Sequence, residues 1–162
     1  MEQEKYPLNL GKLLANFQSL EFALRAFLVN NEIASGITSS QAINLNEMNR
    51  GDIVPENAFT NWDTLKQLIK KYNSNPKILS AGLIIDKTLV DIRDAIAHGR
   101  VSAPTPSASP KLLKFSKPKD NQVKVTFSVS MTKEWFGEQI KRAYNAVLKV
   151  NEANEKLQSG KL

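Results

Sequence analysis

The sequence predicts a mainly helical domain with one β-hairpin inserted before its last helix. Apolar residues recur every three or four positions over four stretches of the chain, which is the spacing of amphipathic helices. Apolar and polar residues alternate instead between 113 and 130, as they do in half-buried strands. The 162 residues are 41% hydrophobic, enough to bury a core. We therefore expect a single domain over residues 1–162, built as a bundle of four to five helices.

Capping and breaking residues set the bounds of the predicted helices. The first is predicted from apolar residues at helical spacing, and the second begins at a cap on Thr60. The third opens at Pro76, and the last begins at a cap on Thr132. The four predicted helices are 8–31, 60–73, 76–98 and 132–158. The long loop 32–58 is compatible with a short helix around 40–48, and we expect part of this loop to be mobile or to cover another surface.

The third predicted helix carries an apolar seam with nearly heptad spacing, so we expect it to pack lengthwise against another helix. The seam consists of Ile78, Gly82, Ile85, Leu89, Ile92 and Ile96. Gly82 inside a helix costs about 1 kcal/mol relative to alanine and indicates the close approach of a neighbouring backbone. Gly99 is a typical C′ residue, which would end the helix just after His98.

The predicted insertion, residues 102–131, combines a proline-rich loop with a hairpin. The loop covers 102–110, and a turn at 118–121 joins two alternating segments. The outer face of this hairpin would carry Lys114 and Lys124.

Composition excludes several kinds of chemistry. The chain has no cysteine and one histidine, so disulfides, thiolate nucleophiles and a histidine-pair zinc site are excluded, and we expect no metal and no cofactor. The net charge of +6 arises entirely after residue 110. This basic segment is typical either of a phosphate-binding face or of an ordinary solvated lysine surface. No apolar run approaches the roughly 20 residues of a membrane span, so we expect a cytoplasmic protein without membrane contact.

The single histidine lies in the most chemically suggestive segment. Asp94 and His98 are four residues apart on one helix face, where Asp94 can accept a hydrogen bond from the imidazole. Arg93 is about 140° away from His98 around the helix axis and reaches the same pocket only from the side. A histidine for proton transfer beside an arginine for a phosphoryl oxygen suits metal-independent RNA cleavage. One histidine cannot easily be both base and acid, so a two-fold dimer would have to supply the second.

The same residues are also typical of a purely structural role. A histidine before a glycine stop is a common helix C-cap, since its charge favours the helix dipole. Arg93 with Asp91 or Asp94 would then be a surface ion-pair cluster that contributes little stability.

The segment Arg93-Asp94-Ala95-Ile96-Ala97-His98-Gly99 resembles the signature of the HEPN superfamily, and is similar to many of its bacterial members. In that family an arginine, usually followed by a polar residue, precedes a histidine with four to six residues between them; here four intervene. The helical layout with a hairpin before the last helix is similar as well. The resemblance implies a helical bundle that forms a homodimer through the motif helix, here 76–98, with the two motifs facing one cleft.

Many HEPN proteins are metal-independent endoribonucleases of toxin–antitoxin, phage-defence or RNA-processing systems. The resemblance therefore implies that Arg93 and His98 are the catalytic pair and Asp94 the polar helper. We add Arg100, Lys114 and Lys124 as candidate RNA phosphate contacts. Other HEPN proteins are inactive and bind RNA or proteins, which is the alternative here. No nucleotidyltransferase motif is present, so an antitoxin or nucleotidyltransferase partner would be a separate protein.

Overall fold

The computed structural model describes residues 5–37, 45–105 and 108–162. In this part of the chain, four α-helices precede one small antiparallel sheet and a fifth follows it, and a 3-10 turn covers Leu45–Glu47. The elements are α1 (Lys5–Ala34), α2 (Leu65–Asn73), α3 (Pro76–Ser80), α4 (Leu89–His98), β1 (Arg100–Ser102), β2 (Lys111–Phe115), β3 (Val125–Ser130) and α5 (Lys133–Gln158). The prediction of a mainly helical chain is confirmed. Residues 40–44 of the predicted short helix, and residues 106–107 of the predicted proline-rich loop, lie outside the described residues.

The chain divides into two compact units. The first comprises Met1–Leu20 and Asp86–Val147, and the second comprises Glu21–Ile85 and Leu148–Leu162. Each unit has its own buried apolar residues, and each fully buried large side chain contributes about 1.5–3 kcal/mol. The largest in the first unit are Leu13, Leu20, Leu89, Leu112, Met131 and Phe136; those in the second are Leu24, Phe27, Leu68, Ile69, Tyr72 and Ile78.

The first and last helices form where they are predicted. Helix α1 covers Lys5–Ala34, three residues more at each end than the predicted 8–31. At the start of α5, Thr132 Oγ1 accepts a hydrogen bond from the backbone N–H of Trp135 at 3.2 Å, as expected of an N-cap. No helix in the described residues has the length and apolarity needed to cross a membrane.

The predicted cap of the second helix is wrong by one turn. The N-cap is Thr64, whose side chain accepts from the Gln67 backbone N–H while the Gln67 side chain accepts from the Thr64 backbone N–H. Thr60 instead belongs to the preceding turn, where its hydroxyl donates to the Pro55 carbonyl at 2.8 Å. Trp62, which lies inside the predicted helix 60–73, is 97% exposed because it precedes the observed helix.

The predicted third helix, 76–98, is not one helix. It ends at Ser80, and the chain resumes helical structure only at Leu89. Between them, Asn73 bonds both the backbone N–H and the carbonyl of Ile85, at 3.0 and 2.8 Å, so side-chain bonds replace helical ones. Gly82 has φ +67°, and its Cα faces open space, so glycine serves the left-handed turn here and not a close approach.

The predicted hairpin is confirmed, but it is part of a three-stranded sheet. β2 pairs antiparallel with β3, and also with the three-residue β1, which the sequence did not reveal. The turn lies at Lys119–Gln122, one residue later than predicted, with Asp120 and Asn121 at positive φ. Such a turn matches the twist of the flanking strands.

Candidate active site

The motif residues lie on α4, whose buried face anchors the helix in the first unit. Leu89, Ile92 and Ala95 are buried, and this fixes which residues face outward. The helix ends at His98, and the next N–H, that of Gly99, donates to the Ala95 carbonyl at 2.7 Å. The His98 side chain is 66% exposed. The only histidine of the chain is therefore accessible to a substrate.

Asp94 is shared between two cationic or potentially cationic partners. Its Oδ1 lies 3.6 Å from His98 Nε2, which is within ion-pair range but longer than a hydrogen bond. Its Oδ2 accepts a hydrogen bond from Lys114 Nζ. The carboxylate thus lies beside the imidazole without a hydrogen bond to it. Because Lys114 occupies one of its oxygens, Asp94 is poorly suited to hold a divalent cation.

Lys114 does not stand on the outer face of the hairpin, as the sequence analysis expected. By strand alternation it shares a face of β2 with the buried Leu112, and its ion pair with Asp94 shows that this face meets α4. The Lys114 side chain is 29% exposed. Lys124 precedes β3 and is exposed, with its backbone N–H donating to Ser116 Oγ at 3.0 Å.

Arg93 and Arg100 differ in the contacts that their guanidinium groups make. Arg93 is half-buried and makes no hydrogen bond or ion pair with the part of the chain that the structure describes. Arg100 lies over the ring of Phe115, 5.3 Å from its centre, in a cation–π contact. Arg100 pairs in register with Leu113, so alternation places it on the sheet face opposite Leu112. Among the described residues, the Arg93 guanidinium is therefore left without a hydrogen bond or ion pair, whereas that of Arg100 has a cation–π contact.

The structure gives a different reason for glycine at position 99 from the one that the sequence predicts. Its φ of −78° and ψ of 176° are extended backbone that any residue adopts, so it is not a left-handed C′ residue. A Cβ at this position would lie 2.3 Å from the Ala95 carbonyl oxygen and 2.9 Å from the Leu113 carbonyl oxygen. Glycine is required because the Ala95 carbonyl in the last turn of α4 and the neighbouring strand β2 leave no room for a Cβ.

Sequence reasoning missed a cavity of about 370 Å³ in the first unit, lined by both polar and aromatic side chains. Lys114 lines it, but His98 and Arg93 do not. The walls come from α4, β2, β3 and α5, and no sequence spacing connects residues so far apart along the chain. The lining residues are Thr88, Asp91, Ile92, Lys114, Thr126, Phe127, Trp135, Gln139 and Arg142.

Arg142 organises one end of this cavity. Its guanidinium donates to Asp86 Oδ2 at 2.6 Å, to the Thr88 hydroxyl and to the Gln139 amide oxygen. Burial by itself raises the pKa of the Asp86 carboxyl, but hydrogen bonds from the Thr88 backbone, Arg142 and the Thr88 hydroxyl outweigh it and hold that pKa below its usual range. Asp86 is therefore ionised at neutral pH, and the pair with Arg142 persists there.

Comparison with known proteins adds no identification. No protein-family model, no curated protein and no solved structure matches this chain.

Proposed function

We propose that the protein is a metal-independent endoribonuclease of the HEPN type, with a composite site that two copies of the chain form together. The observation that supports this most directly is the accessible His98 imidazole, with Asp94 beside it and an uncommitted Arg93 on the same turns of α4. An imidazole base, a neighbouring carboxylate and a guanidinium without a partner among the described residues are groups that suit RNA cleavage without metal.

The chemistry follows from these groups. One His98 takes the proton of a ribose 2′-hydroxyl, and the resulting oxygen attacks the adjacent phosphorus. The second His98 protonates the departing 5′-oxygen, which leaves a 2′,3′-cyclic phosphate. Arg93 stabilises the charge that develops on the phosphoryl oxygens through its paired N–H groups. Two copies are needed because one imidazole cannot hold both protonation states at once.

The proposed dimer surface is α4 itself, since the predicted helix 76–98 is interrupted. Packing of two α4 helices about a two-fold axis would bring both copies of Arg93 and His98 to one cleft. In a toxin–antitoxin or phage-defence system, an antitoxin or nucleotidyltransferase would be a separate partner. Light scattering at micromolar concentration tests the dimer, and a monomer there would remove the basis of the composite site.

Cleavage of single-stranded RNA in EDTA tests the activity. We expect the wild type to release products ending in a 2′,3′-cyclic phosphate, and both His98→Ala and Arg93→Ala to lose at least about a hundredfold in rate. The charge-matched control is Arg50→Ala, since Arg50 is exposed and outside the first unit. Equal cleavage by His98→Ala would show that the activity has another origin.

A second function, an inactive HEPN-like module that binds RNA or a protein, is favoured by one observation. Lys114 forms an ion pair with Asp94, and the His98–Asp94 distance of 3.6 Å means that the imidazole donates no hydrogen bond to this carboxylate. Salt-dependent RNA binding without cleavage, unchanged in His98→Ala, would identify this function instead.

A further inference from the structure

The cavity beside α4 has features of a binding site of its own, separate from His98 and Arg93 and independent of the proposed ribonuclease activity. At about 370 Å³ it lies in the lower part of the range for small-molecule sites. Its lining combines two aromatic rings with a few convergent polar groups, which is the usual composition of such sites. The polar groups define which ligand it can accept.

Gln139 provides an amide donor that opens onto the cavity and has no acceptor among the described residues. Gln139 is only 4% exposed, and its Oε1 accepts a hydrogen bond from Arg142 Nη1 at 2.5 Å. That bond fixes the amide orientation, because a flipped amide would direct its NH₂ group at the guanidinium. The Nε2 group then donates to no residue that the structure describes, although Gln139 lines the cavity. A ligand atom that accepts a hydrogen bond would satisfy it.

The charges around the cavity are compensated except for one. Lys114 pairs with Asp94, and Arg142 pairs with Asp86. Asp91 lines the cavity, and its carboxylate has no hydrogen bond or ion pair with the described part of the chain. The five groups together carry one negative charge. This balance favours a ligand with an ammonium group and disfavours one with several negative charges, such as a nucleotide.

Two aromatic rings supply an apolar wall. Phe127 pairs in register with Lys114 on the same face of the sheet, and Trp135 lies in the first turn of α5. The Trp135 ring contacts that of Phe136 edge to face, with centres 5.0 Å apart, and this contact restrains it. The body of a ligand that lies against these rings would be apolar or aromatic.

We propose that this cavity binds a zwitterionic α-amino acid with an apolar or aromatic side chain. The ligand ammonium pairs with Asp91. The ligand carboxylate accepts from Gln139 Nε2 and from donors of Lys114 and Arg142 that their aspartate partners leave free. The side chain packs against Trp135 and Phe127. A zwitterion satisfies both the unpaired carboxylate and the unpaired amide without changing the net charge of the cavity.

Tryptophan fluorescence tests the proposal. The chain has two tryptophans, and Trp62 is 97% exposed, so the Trp62→Phe variant leaves Trp135 as the only reporter. In that background we expect saturable emission changes with L-phenylalanine. Phenethylamine lacks the carboxylate and 3-phenylpropionate lacks the ammonium, so each should bind at least about tenfold more weakly, which is about 1.4 kcal/mol.

Substitutions then assign the two polar contacts. Asp91→Asn should weaken L-phenylalanine about tenfold and leave 3-phenylpropionate unchanged, whereas the matched control Glu138→Gln, exposed and outside the cavity lining, should change neither. Gln139→Met should weaken binding of the carboxylate-bearing ligands, with circular dichroism verifying the fold. No emission change with L-phenylalanine, equal binding of all three compounds, or preferential binding of a nucleotide would overturn the proposal.

Discussion

Gly99→Ala places a methyl group where the end of α4 and strand β2 leave no room for it. The new Cβ would lie 2.3 Å from the Ala95 oxygen, 2.8 Å from Leu112 Cδ1 and 2.9 Å from the Leu113 oxygen. Two of these neighbours are backbone atoms, which cannot move aside by a rotamer change. Relief therefore requires the backbone at Gly99 to move away from both the last turn of α4 and strand β2, which disturbs the helix end and the β1–β2 pairing.

The magnitude follows from this geometry. Overpacking a tight site typically costs about 1–3 kcal/mol, and backbone neighbours put Gly99 at the upper end. The backbone conformation itself adds no strain, since φ is −78°. Alanine also restricts the unfolded chain more than glycine does, and this offsets the loss of stability by about 0.4–1 kcal/mol. We expect a net loss of about 2 kcal/mol in the free energy of unfolding, and a melting temperature lower by about 4–8 °C.

Thermal and urea unfolding followed by circular dichroism measure this loss. Gly137→Ala is the matched control, because Gly137 lies inside α5 and its Cα faces open space. That substitution should raise stability by about 0.5–1 kcal/mol through helix propensity. If Gly99→Ala is as stable as Gly137→Ala, the steric account of Gly99 is refuted.

The remaining predictions concern other supports of the fold. Thr64→Ala should cost about 1 kcal/mol by removing the α2 capping box, while Thr64→Ser should cost much less; equal urea midpoints would contradict this. Arg25→Lys should cost about 2 kcal/mol, because a lysine cannot replace the guanidinium bonds to the carbonyls of residues 58–63, and limited proteolysis should then cut this segment faster than in wild type. The Asp86 carboxyl has a lowered pKa in the native state, so its contribution to the free energy of unfolding is full at neutral pH and is lost as pH falls through that pKa. The Asp86→Asn variant should therefore show a shallower loss of stability with acid below about pH 4. Superimposable acid unfolding curves of variant and wild type would contradict this role of Asp86.

The sequence by itself determined the elements whose signals are local. Periodicity and caps predicted α1 and α5 nearly to their ends, and alternation predicted the β2–β3 hairpin. The i, i+4 spacing also predicted that Asp94 would be the neighbour of His98, which lies 3.6 Å away. These features depend on residues within one or two turns of each other, so a single sequence contains the information that they need.

Only the tertiary structure decided the features that depend on distant residues. Asn73 and Tyr72 bond the backbone of residues 83–85, and such bonds interrupt a stretch whose apolar spacing alone is helical. The β1 strand forms because it pairs with β2. Strand β2 also carries Lys114, which forms the ion pair with Asp94. The cavity bounded by α4, α5 and the sheet likewise has no signature in the chain. Long-range packing overrides local propensity at these points because the side-chain bonds and burial that it brings outweigh a few tenths of a kcal/mol per residue.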